Sequence, residues 1–188
     1  MNNRDAVLRQ ADRAATDATA TTGVPTTYTW LWSTRVRVKE SEVGRSFQVL
    51  IFLGSVPENP REWIRATSYV GSVSAFVSGT AGQRGGESYG QVQTDAVTEG
   101  YVHLNPALAK NVGRTDPNNV RPYLKDNLDW RIQLADGTPI PLERLPSLEV
   151  VVVAVQLEMR DGELPIPVGE PVLHRDITSG RLGGARPE

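Results

Sequence analysis

The side chains able to do chemistry are few. The chain has two histidines, His103 and His174, no cysteine, and 22 acidic residues dispersed among 20 Lys and Arg. A coupled dicopper oxygen site needs about six imidazoles, because copper that changes oxidation state beside bound oxygen is held by nitrogen. Two do not suffice, and without a thiol neither a thiolate metal site nor a disulfide can form. His103, between Val102 and Leu104 on an expected strand, reads as a structural residue with its hydrogen bonds met. His174, in a Pro-rich tail, reads as a surface residue. For nucleophilic catalysis there is no G-x-S-x-G elbow: in Gly71-Ser72-Val73-Ser74-Ala75 the serines occupy the wrong slots. Gly79, Gly82, Gly85 and Gly86 match neither phosphate-binding spacing, and Glu58, Glu62, Glu87 and Glu99 stand singly. The expectation is a chain with no cofactor and no metal of its own, and not an enzyme by itself.

The elements that would position these residues are mostly strands. From Tyr28 the hydrophobic period is two: Tyr28, Trp30, Trp32, Val36 and Val38 share one parity, and Thr29, Ser33, Arg35, Arg37 and Lys39 the other. Phe47, Val49, Ile51 and Leu53 alternate likewise, and Glu40 to Arg45 between the two runs predicts a hairpin. Pro57 and Pro60 mark an irregular connection carrying Trp63, a large side chain expected to lid the core. A third strand is predicted from Tyr69 to Val77, a fourth from Gly100 to Leu104, and a clear one from Leu128 to Leu134 closed by Asp136-Gly137. Leu148 to Leu157 is apolar on both parities, as in the middle of a sheet covered on both faces. Asn105-Pro106 and Asp116-Pro117 are helix-start signals for two short helices, the second limited by Pro122 to about two turns.

This pattern predicts an all-β, mainly antiparallel fold, a sandwich or barrel with one or two short helices and extended tails. Residues 1–25 form a leader, either a short helix with Val7, Leu8, Ala11, Ala14, Ala15 and Ala18 on one stripe or a polar segment without structure. Residues 26–160 form the β domain, and 161–188 an extended Pro/Gly-rich tail packing on it. Residues 79–90, with five glycines, are the most mobile internal loop expected.

A net charge of −2 with interspersed signs offers no basic face for phosphates, so nucleic acid is not an expected partner. No stretch reaches the roughly 20 apolar residues that cross a bilayer, so no membrane partner is expected either. The N-terminus lacks the apolar run of a signal peptide, which predicts a cytoplasmic protein, with export alongside a partner left open.

Read as a block, TRVRVKESEVGRSFQVLIFLGSVPENPREWIRATSYVGSVSAFV resembles the start of the C-terminal domain that follows the catalytic domain in fungal-type tyrosinases. EGYVHLNPAL, VRPYLKDNLDWRIQLADG, LEVVVVAVQL and DITSGRLGG are similar to later parts of that domain, in the same order, so the likeness spans roughly residues 28 to 184. FLGSVPENPREW and EGYVHLNPAL are its most specific pieces. The resemblance implies a small β-sandwich, related in role to the caddie proteins of bacterial tyrosinases and the C-terminal domains of molluscan hemocyanins. Such a domain covers the entrance of a dicopper site and inserts one side chain, often aromatic, where the phenol would lie.

The implied partner is therefore a tyrosinase-like copper oxidase subunit, and the implied placeholder is Phe76, in SAFVSGTAG. Parity agrees, since Phe76 lies on the side of Ser72 and Ser74, where an apolar ring wants a partner; an ordinary sheet residue is the other reading. Tyr89 is the alternative placeholder. Trp30, Trp32 and Trp63 are candidate interface anchors if exposed. Where fungal members often carry a C-x-x-C thought to help load copper, this chain has GTAGQRGGES, which excludes thiolate-based delivery. The six-His region is also missing, as in a separate subunit or an excised domain. Two rival readings stand beside the cover: a structural sandwich forming homo-oligomers, and a small-molecule binder using the aromatic strand Tyr28 to Trp32.

Overall fold

A computed structural model describes residues 26–77 and 96–187. The leader 1–25 and the whole glycine-rich loop 79–90, including Tyr89, lie outside the described residues. Among the described residues, eight strands build two four-stranded antiparallel sheets. The first sheet has the order β4-β1-β7-β8, from β4 (Val97–His103), β1 (Thr26–Lys39), β7 (Glu149–Arg160) and β8 (Ile166–His174). The second has the order β3-β2-β5-β6, from β3 (Tyr69–Ala75), β2 (Phe47–Leu53), β5 (Leu128–Leu134) and the two-residue β6 (Pro139–Ile140). The all-β sandwich read from the alternation is the fold observed.

The core lies between the sheets, filled by the inward parity of each strand. Trp32, Val36, Val38, Val150, Val152 and Ala154 of the first sheet meet Phe47, Val49, Ile51, Trp130 and Ile132 of the second. Helix α1 (Asn105–Asn111) and helix α2 (Pro117–Asn127) add the buried Leu108, Val120 and Leu124 to the same core. β7 is buried on both parities from Val150 to Ala154, as its composition predicts, and half-buried from Val155 to Met159. On its outer face, Val151 pairs with Arg35 of β1, and continuing the β8 register sets Arg175 on its other side. Both guanidinium groups approach the Glu149 carboxylate at 3.4 Å, so their aliphatic stems lie beside a fully buried valine.

Four local expectations change. The hairpin expected at Glu40 to Arg45 is instead a passage between sheets: β1 pairs with β4 and β7, while β2 pairs with β3 and β5. The passage is tied to a distant loop, with Ser147 Oγ accepting from the Lys39 N–H at 2.8 Å and the Glu42 carboxylate accepting from Ser147. Asn105 does not cap α1. Its Oδ1 accepts from the Trp32 N–H at 2.7 Å and its Nδ2 donates to the Trp30 carbonyl at 2.8 Å, so the side-chain amide extends the ladder of β1 where β4 ends.

Helix α2 runs 11 residues through Pro122, longer than the two turns expected. Burial of Leu124 outweighs the lost backbone bond. The start signal at Asp116 is as read, its carboxylate accepting from the Asn119 N–H. Finally, the tail supplies β8 as a sheet edge instead of only wrapping the surface. Pro167 and Pro171 fit there, since proline is tolerated where the missing N–H faces solvent. Beyond β8 the chain closes one end of the sandwich. Ile177 and Thr178 are buried, the Thr178 hydroxyl donates to the Val150 carbonyl at 2.7 Å, and Arg181 stacks over the Trp130 ring at 4.1 Å from its centroid.

Candidate functional site

The outer face of the second sheet carries the candidate site, and the rows of that face follow from the register. Leu50 and Phe52 point outward from β2, and both are fully buried. What covers them is Trp63, on a 3-10 turn (Pro60–Arg65) whose start is capped by Asn59 Oδ1 accepting from the Arg61 N–H at 3.1 Å. The Trp63 indole N–H donates to the Pro57 carbonyl at 2.8 Å, and Val56, Ala66 and Tyr69 complete this second cluster. Trp63 is thus a lid, as expected, but over the outer face of the sheet and not over the main core.

The adjoining half of the same face is left open. Ser74, Gln48 and Gln133 form one cross-strand row. Continuing the same register, Phe76, Ser46 and Ala135 form the next. Val73 and Ala75 take the inward parity of β3, which leaves Phe76 outward with 74% of its surface in water. An exposed phenyl ring forgoes about 1.5–3 kcal/mol relative to burial.

The residue after Phe76 is tied to the start of β2. Val77 N–H donates to Ser46 Oγ at 3.2 Å. β3 and β4 also close on each other through glycine. A Cβ on Gly71 would meet Val102 Cγ1 at 2.9 Å, and one on Gly100 would meet Val73 Cγ1 at 2.7 Å. This close approach requires the missing side chains. Extended by the same spacing, it brings Phe76 level with the exposed Val97.

The tryptophans expected as surface anchors fare differently. Trp32 is fully buried: its indole N–H donates to the Thr115 carbonyl at 2.7 Å and its ring stacks on His174 at 5.1 Å. It and Trp63, 6% exposed, are internal residues and unavailable as anchors. Only Trp30, half-buried and 6.4 Å from the Trp32 ring, keeps an open side. His174 also departs from expectation. It is buried, its Nε2 has no hydrogen-bond partner, and burial, reinforced by the Arg121 guanidinium and opposed by Asp176, holds its imidazole below the ordinary value. His103 is as read, exposed on β4 with Nδ1 3.0 Å from Ser33 Oγ.

A copper pair does not fit these residues. Among the described residues no three His, Asp or Glu side chains gather as metal ligands, and the two imidazoles sit in unlike places, one outside β4 and one against Trp32. What the open face offers instead is recognition: one ring, one exposed valine and a row of neutral polar side chains. Sequence reasoning reached Phe76 but not Gln48 and Gln133, whose facing positions on adjacent strands are evident only once β2 and β5 are known to pair.

The described residues form a small antiparallel β-sandwich with Phe76, Tyr28 and Tyr101 exposed on its surface. Residues 32–152 match the family described as the tyrosinase C-terminal domain, and the chain belongs to that family. It is 28% identical over 166 residues to a tyrosinase of Neurospora crassa, covering 84% of this chain and 24% of that protein. To polyphenol oxidase 2 of Agaricus bisporus it is 28% identical over 133 residues, covering 70% of this chain and 22% of that protein. The structure of recombinant mushroom tyrosinase abPPO4 superimposes with a TM-score of 0.59 at 21% identity, covering 83% of this chain and 27% of that one, a likeness of fold. The chain spans about a quarter of the length of these relatives.

Proposed function

We propose that this chain is a non-catalytic cover for a tyrosinase-like type-3 copper oxidase. It docks over the entrance to the dicopper site, shields and stabilises it, and places Phe76 where a phenol would lie. The observation that carries this reading is the exposure of Phe76, 74% in water just beyond the end of β3, in a member of the tyrosinase C-terminal family. The mechanism is occlusion. A ring held by a docked domain competes at high effective concentration for the apolar slot, so free phenol enters only when the cover leaves. The cover does no chemistry. It excludes substrate and water, while oxidation belongs to the imidazole-bound copper pair of the partner.

The test is reconstitution with the dicopper catalytic domain of the same host. Wild-type chain is expected to form a stable complex and suppress phenol oxidation, proteolysis of the cover is expected to restore turnover, and Phe76→Ala is expected to lose at least about tenfold in inhibitory potency. Absence of a complex sinks the cover, and full inhibition by Phe76→Ala sinks the placeholder.

A second reading, a structural module building homo-oligomers, draws on the partly exposed Ile166, Val168, Val172 and Leu173 of edge strand β8. Pro167 and Pro171 oppose it, because each removes a donor from the edge a second strand would pair with. A monomeric mass for the purified chain by light scattering would remove this reading.

A further inference from the structure

The open half of the second sheet's outer face contains a pocket of about 580 Å³ between the 3-10 turn of Trp63 and the β5–β6 turn. That is within the range of about 300–1,000 Å³ usual for ligand sites. Gln48 and Gln133, directly paired across β2 and β5, contribute to its lining. Gln133 is only 7% exposed, and neither side-chain amide makes a hydrogen bond to a described residue. Neither amide end is sealed from water, so both open on the cavity, where water satisfies them until a ligand replaces it.

The lining constrains what arrives. Each glutamine offers a carbonyl acceptor and an NH₂ donor side by side, the complement of a peptide group. Pro60, Pro139 and the 53% exposed Ile64 add apolar wall, and no aromatic ring lines the pocket for a sugar to stack on. The lining carries one charge of each sign, Arg61 on one wall and Asp136 on the other. We infer that this pocket takes a short extended polypeptide segment, uncharged and with small apolar side chains, whose backbone amides pair with Gln48 and Gln133. Resting on the cover reading for its owner, the segment belongs to the catalytic domain. Docking is then reciprocal, Phe76 entering the partner while a partner loop enters the row beside it.

The experiment measures affinity of the full chain for the dicopper catalytic domain by calorimetry, for wild type and for Gln48→Leu/Gln133→Leu. Leucine matches the shape of glutamine without its hydrogen bonds, so the variant is expected to keep its thermal midpoint and to bind at least about tenfold more weakly. Undiminished binding overturns the pocket and leaves the cover intact. Should wild-type chain form no complex, the cover falls and the pocket is judged alone. In that case blocked tetrapeptides of Gly, Ala, Val and Thr are titrated into isotope-labelled chain, with shifts expected at the Gln48 and Gln133 side-chain amides. No shift, or a shift only with a neutral oligosaccharide, overturns the inference.

Discussion

The two halves of the second sheet's outer face are built from the same strands and finished in opposite ways. One half projects Leu50 and Phe52 and seals them under Trp63 from its own chain. The other projects Ser74, Gln48 and Gln133, has no such lid among the described residues, and leaves Phe76 in water at its margin. The difference teaches that exposure of Phe76 does not come from lack of means to cover a ring. A single 3-10 turn with one tryptophan covers two large side chains two and three rows away, and the row next to Phe76 carries neutral polar groups that water satisfies until a partner does.

The comparison breaks most directly at the sealed half. Trp63→Ala removes a 94% buried ring and its hydrogen bond to Pro57, and is expected to cost about 3–5 kcal/mol in denaturant unfolding. A cost below about 1 kcal/mol would show that the lid is not part of the folded unit and that the two halves are alike. Next in size, Gly100→Ala sets a Cβ against both Val73 methyls, at 2.7 and 2.9 Å, and is expected to cost about 1–3 kcal/mol as β3 and β4 separate. Because that edge positions Phe76, the same variant is expected to weaken inhibition with Phe76 itself unchanged. Inhibition left at wild-type strength would detach the ring from the edge.

A smaller effect contrasts the open face with the sealed interior beneath the first sheet. The buried His174 imidazole resists protonation, whereas the unfolded chain takes its proton near the ordinary value of 6.5. As pH falls through 6.5 the unfolded state therefore binds the extra proton first, so stability is fully present above 6.5 and declines until the lower native value is passed. Thermal midpoints at pH 7 and pH 5 should differ in that sense, and His174→Gln should flatten the part of the slope between them. An unchanged slope would place the imidazole in contact with solvent.

Strand faces were legible because alternation survives any choice of neighbour: inward Phe47, Val49 and Ile51, outward Phe76 and the doubly buried Val150 to Ala154 all follow from parity. Neighbours were not legible. Parity is the same whether β1 pairs with β2 or with β4 and β7, so the hairpin reading failed although both strands were recognised, β1 starting at Thr26, two residues before Tyr28. Asn105-Pro106 has the form of a helix cap, yet the asparagine amide is taken by the unpaired edge of β1, an opportunity that depends on where β4 stops. Tryptophan is ambiguous for a related reason. Its ring serves a core as well as an interface, and only the partners of the indole N–H, Thr115 for Trp32 and Pro57 for Trp63, separate the two. The pocket was out of reach of the sequence because Gln48 and Gln133 lie 85 positions apart and meet only through the β2–β5 register.

The smallest expected effect is the most telling one. Phe76 lies beyond the last residue of β3, buries about a quarter of its surface and belongs to neither hydrophobic cluster. Phe76→Ala is therefore expected to leave unfolding free energy within about 0.5 kcal/mol of wild type, the usual range for a surface change. Phe47→Ala, at 1% exposure within the core, should cost about 3–5 kcal/mol. A ring that contributes nothing to folding and much to inhibition would be held for the partner alone. If Phe76→Ala instead costs about 2 kcal/mol or more, the ring packs against its own chain in solution, and the open half of the face is closed after all.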